Sequence, residues 1–122
     1  MKFHLTKAAG RNLFTGYGAG YIAINDQRFA HPVLVSPEGE VERWDADSFE
    51  ALTPAHFEAL LGRKPEIVLL GTGDTLRFPR PDVIRPLAQA RVGFEAMDTK
   101  AACRTYNILM SEGRQVLAAI LI

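Results

Sequence analysis

At 122 residues, 48% apolar and 23% charged, the chain has the size and composition of an ordinary folded domain, which excludes intrinsic disorder. Its 14 basic and 14 acidic side chains cancel, so the basic excess of a general nucleic-acid binder is missing. No apolar run is long enough to span a bilayer, and residues 1–10 lack the apolar centre of a secretory signal, so a cytoplasmic location is expected.

The first third reads as β-structure. Residues 13–15 form a short apolar stretch, followed by the glycine-rich Gly16-Tyr17-Gly18-Ala19-Gly20. Residues 21–24 read as a strand that ends in turn chemistry at Asn25-Asp26-Gln27. Residues 28–35 read as one continuing strand, with Val33-Leu34-Val35 as its apolar part. His31-Pro32 marks an edge or bulge there, because proline removes a ladder donor. Ser36-Pro37-Glu38-Gly39 is a turn, and residues 41–44 pair back as a hairpin. Connections this short predict antiparallel strands.

The pattern changes at Thr53-Pro54, an N-cap followed by proline at the first helical position. A short helix is expected there, with Phe57, Leu60 and Leu61 inward and a stop at Gly62. Residues 66–70 contain Ile67-Val68-Leu69-Leu70, apolar on both faces as in a covered central strand. A helix follows over 82–90, in which Pro86 must lie in the first turn or cause a kink, and then a second core strand over 92–97. Asp98 or Thr99 caps the most regular helix, whose Thr99, Ala102, Cys103, Tyr106, Leu109 and Met110 share one face. Glu112-Gly113-Arg114 turns the chain into seven consecutive apolar residues, 116–122, expected as a buried strand. The second half is therefore β-α-β-α-β, which calls for parallel strands and right-handed crossovers. With no linker or repeat between them, an antiparallel part (1–46) and an α/β part (47–122) are expected to form a single domain.

Several strings together resemble a known family. They are Gly16-Tyr17-Gly18, Val33-Leu34-Val35 before the Pro-Glu-Gly turn, and Leu70-Gly71-Thr72-Gly73 after a strand. They continue with Met97-Asp98-Thr99, Ala102-Cys103-Arg104-Thr105-Tyr106-Asn107, and Glu112-Gly113-Arg114 before the apolar end. Their order resembles the small domains of unknown function whose family includes the mitochondrial respiratory complex I assembly factor and the adipogenesis-associated domain protein. The resemblance implies a three-layer α/β fold with an extra β layer and a mixed, mostly parallel sheet. It carries no established enzymatic activity or cofactor, and the mitochondrial member implies a helper role in assembling a membrane complex.

Chemistry in an open parallel sheet belongs beyond the carboxyl ends of its strands. Two loops qualify: Gly71-Thr72-Gly73-Asp74-Thr75 and Asp98-Thr99-Lys100. They are expected to form one cleft, with Arg77 and Lys100 holding an anion on free backbone donors at Thr72, Gly73, Thr99 and Lys100. Asp98 would serve as a base. The plainer reading makes the glycines a tight turn, Asp98 and Thr99 caps, and Asp74 a turn residue paired with Arg77. Gly71-x-Gly73 is no dinucleotide fingerprint, since Leu76 stands where the third glycine belongs. Arg77, Arg80, Arg85 and Arg91 are either solvated or an anion-binding rim. Cys103, the only thiol, is expected to be buried and inert; it leaves no disulfide within the chain. His4, His31 and His56 lack metal-ligand spacing, so no metal is expected. Tyr17 and Tyr21 are read as aromatics packed over glycine strands, Asn107 as a bond to a neighbouring loop, and Trp44 as an apolar cover or an exposed anchor. A non-enzymatic binding or assembly-helper domain with a protein partner is the leading expectation. A small enzyme or an anion- or nucleotide-binding domain is the alternative, and a homo-oligomeric structural subunit the third.

Overall fold

A computed structural model describes residues 10–122, which leaves His4 outside the described residues. The first three strands, β1 (Phe14–Gly18), β2 (Tyr21–Ile24) and β3 (Gln27–Phe29), form an antiparallel sheet in that order. Asn25 and Asp26 both adopt positive φ (49° and 69°), the two-residue turn whose twist suits a hairpin. The single strand expected over 28–35 is in fact two. After β3 the chain passes His31-Pro32 and enters β4 (Val33–Val35), which belongs to a different sheet. Proline cannot donate to a ladder, so pairing ends there and restarts on new neighbours.

The second sheet adds β5 (Glu42–Arg43), β6 (Ile67–Thr72), β7 (Gly93–Met97) and β8 (Val116–Leu121), in the order β5-β4-β8-β6-β7. β4 pairs antiparallel with β5 and β8, whereas β6 pairs parallel with β8 and β7. The sheet is therefore mixed, parallel in its second half. Strand β7 is its edge and is half-exposed, rather than the core strand expected over 92–97. Strands β6 and β8 are central and buried on both faces, as their unbroken apolar runs require.

Helices α1 (Pro54–Glu58) and α2 (Pro81–Gln89) cover one face, and α3 (Thr99–Ser111) covers the other together with the three-stranded sheet. The period of two in β8 shows the layering: Val116, Ala118 and Ile120 enter the α3 core, while Leu117, Ala119 and Leu121 enter the core beneath α1 and α2. Phe57 and Leu60 are buried there and Trp44 is 2% exposed, so Trp44 is an apolar cover. The turn after α1 closes at Lys64 in the left-handed conformation (φ 53°) rather than at Gly62. Pro86 sits in the second turn of α2, beyond the first turn that would accommodate it freely.

Candidate functional site

Chain travel dictates where a crevice opens. From β6 the chain steps outward to β7 through α2, then reverses past β6 to β8 through α3. Right-handed crossovers in opposite directions must use opposite faces of the sheet. The loops leaving β6 and β7 therefore part at their carboxyl ends, where ligands of open α/β sheets bind. These are the Gly71–Asp74 and Asp98–Lys100 segments.

The two loops are tied to each other across the crevice. Thr99, buried at the start of α3, donates its backbone N–H to the Gly73 carbonyl at 2.9 Å. Its hydroxyl accepts the Gly73 N–H at 2.9 Å and donates to the Leu121 carbonyl at 2.6 Å. The Gly73 and Thr99 amides expected to be free donors are thus both used. Gly71 permits this closeness, because a Cβ there would stand 3.0 Å from Thr99 Oγ1 and 3.3 Å from Thr99 Cα. Gly73 takes a positive φ of 95°, which glycine adopts without strain. Asp98 is the N-cap, its carboxylate accepting the Ala101 N–H at 2.9 Å. The Thr72 hydroxyl donates to the Thr75 carbonyl at 2.7 Å and accepts the Arg77 N–H at 3.2 Å, bracing the next loop.

Arg77 does not join Lys100. Its guanidinium pairs with Glu50, 27 residues earlier, and lies 5.4 Å from the Phe49 ring centroid. Asp74 is exposed and is not the partner of Arg77. The Glu50 carboxyl is held below its ordinary value, first by a backbone hydrogen bond and then by Arg77. Arg80 pairs with Asp82 at 3.2 Å. Two of the four arginines read as a rim are therefore matched by carboxylates.

Among the described residues, two clefts stay open beside this lock: one of about 270 Å³ brings Thr72, Gly73, Asp74, Thr75 and Arg77 together with Glu50. In the other, of about 360 Å³, Gly73, Asp74, Asp98, Thr99 and Lys100 face the β1–β2 hairpin. Gly71, Thr72 and Arg77 do not line it. The hairpin contributes Tyr17, Tyr21 and the Gly18-Ala19-Gly20 turn between them. Lys100 Nζ lies 5.7 Å from the Tyr17 ring centroid, Arg104 donates to the Tyr17 hydroxyl at 2.8 Å, and Arg28 stacks 4.2 Å over Tyr21. The Tyr21 ring covers Gly18 so closely that a Cβ there would come within 2.3 Å of it. Alternating Tyr and Gly was the only local sign of this roof. Cys103 is fully buried, its thiol pushed up to about 12 by loss of hydration. Asn107 is also buried, and it bonds the β1 backbone rather than a loop.

Fold and site together define a three-layer α/β domain whose switch-point crevice is bridged by its own helix start. The chain belongs to the family described as proteins of unknown function (DUF498/DUF598), whose model matches residues 14–121. It is similar to the 13 kDa major membrane protein of Francisella tularensis, with 31% identity over 88% of this chain and 89% of that protein. It is also similar to NADH dehydrogenase (ubiquinone) 1 alpha subcomplex assembly factor 3 of Bos taurus, with 33% identity over 86% of this chain. The match spans 58% of that assembly factor. A crystal structure of a Bordetella parapertussis protein superposes with a TM-score of 0.88 at 44% identity, covering 94% of this chain and 98% of that one. Among the described residues, no helix is long and apolar enough to cross a membrane.

Proposed function

We propose that the protein is a non-enzymatic, single-domain helper that binds another protein during assembly of a larger complex, acting from the cytoplasm. The observation that carries this reading is the Thr99 lock, since at the place where this architecture offers free donors to a ligand the Gly73 and Thr99 amides are satisfied internally. Asp98, the would-be base, is committed to capping α3. The assembly role of the bovine relative supports the same reading. Capture of the tagged full-length chain under native conditions, with cross-linking and mass spectrometry, is expected to yield a stoichiometric protein partner. Recovery of the chain with a small molecule and no protein would overturn the proposal.

The hairpin cleft favours a second reading, a small-anion site with Lys100 as its cation. Titrating phosphate and nucleotides into isotope-labelled protein tests it at the amides of Gly18, Gly20 and Lys100. The helper reading expects flat positions at millimolar ligand. Saturable shifts confined to those amides and lost in Lys100→Ala would instead establish the anion site.

A further inference from the structure

The loop between β6 and α2 turns two large apolar side chains outward, Phe78 at 73% exposure and Leu76 at 50%. Single exposed apolar residues are common, but this pair is held in place. The Thr72 hydroxyl ties together the Thr75 carbonyl and the Arg77 amide, Arg77 is anchored on Glu50 and Phe49, and Pro79 follows Phe78 directly. An apolar side chain presented on a braced loop loses little freedom on binding. Beside it runs a groove of about 450 Å³, floored by Phe49, Leu52, Pro79 and Val83. Glu50, Arg77 and Arg80 supply its polar lining.

We propose that this face joins two copies of the chain about a twofold axis, with Phe78 of each copy seated in the groove of the other. A twofold contact requires a patch complementary to itself. This patch carries both the knob and the hole, and both an acid and bases. Glu50 of one copy meets Arg80 of the partner subunit. Arg80 pairs with Asp82, two residues away, and both side chains are exposed, so this surface pair exchanges at little cost. An anionic bilayer would call for an unmatched basic cluster. Here the groove lining mixes Glu50 with Arg77 and Arg80, and Arg77 is already held by Glu50, so a copy with the same mixed pattern fits better.

Sedimentation of the full-length chain from micromolar to millimolar concentration tests the proposal. The mass is expected to rise from one chain to two. Phe78→Asp should weaken the dimer by at least about thirtyfold, as for a central interface anchor. Ile108→Asp, at a position on α3 that is also exposed, should leave it unchanged. Glu50→Arg and Arg80→Glu should each weaken self-association, and equimolar mixing of the two variants should restore it as a heterodimer. That rescue excludes a folding defect as the cause. A chain that stays monomeric throughout, a dimer indifferent to Phe78→Asp, or mixing without rescue would each overturn the proposal. Binding of the monomer to anionic vesicles, lost in Phe78→Asp, would overturn it in favour of a lipid surface.

Discussion

Thr99 joins three elements through one side chain and one amide: the end of β6, the start of α3 and the end of β8. Replacing it by valine keeps the shape but leaves the Gly73 N–H and the Leu121 carbonyl without that hydroxyl. The expected loss is about 2–4 kcal/mol, since an unsatisfied buried polar group costs about 1–3 kcal/mol. Thr99→Ser should recover most of it in chemical denaturation, and an unchanged midpoint for the valine variant would show the lock to be inessential. Cys103 makes a prediction about pH. Its thiol, raised by burial to about 12, keeps its proton in the native state, while the unfolded chain loses it near the ordinary value of 9.0. The unfolded state then binds fewer protons, so stability must fall as pH rises above that value. Between pH 8 and 10 the fall from this group is about 1.4 kcal/mol. Denaturation of the protein and of Cys103→Ala at the two pH values should show the smaller pH dependence in the variant. Native labelling by a thiol reagent should be far slower than labelling of the unfolded chain.

Between elements, α3 carries the three-stranded sheet. Asn107 accepts the Phe14 N–H at 2.9 Å and donates to the Phe14 carbonyl at 2.8 Å, while the Tyr106 hydroxyl donates to the Asn12 carbonyl at 3.0 Å. Asn107→Leu should cost about 2–4 kcal/mol by orphaning both groups of Phe14. Amide exchange at Phe14 should quicken more than exchange within β6. Leu121→Ala, at the end of central strand β8, should cost about 2–5 kcal/mol. Strand β8 and helix α3 were legible in the sequence because their signals are local, an unbroken apolar run and a 3-and-4 spacing. Strand β7 was not legible as an edge, since Val92 to Met97 is apolar enough for a core and nothing local encodes strand order. Gly62 drew the helix stop because glycine suits positive φ, yet packing placed that conformation on Lys64. The candidate site was half legible. General α/β topology located both loops, but the partner of Arg77 lies 27 residues back at Glu50, and the hairpin roof comes from the other end of the chain.

At the scale of the molecule, the alternation along β8 ties the two cores together. Each successive side chain of one strand enters the opposite core, so neither can dissolve while the other keeps its strand. A single unfolding transition is therefore expected, with coincident midpoints for Trp44 fluorescence on one face and Tyr106 near-ultraviolet signal on the other. Two separated midpoints would show that the faces melt independently. The Asn107 contact has one more effect, on what the protein avoids. Among the described residues strand β1 is an edge of its sheet, and an edge strand offers its backbone to any passing chain. The side-chain amide of Asn107 presents a donor and an acceptor to Phe14 as a neighbouring strand would. A stray strand arriving there finds that position already occupied, by a helix imitating a strand.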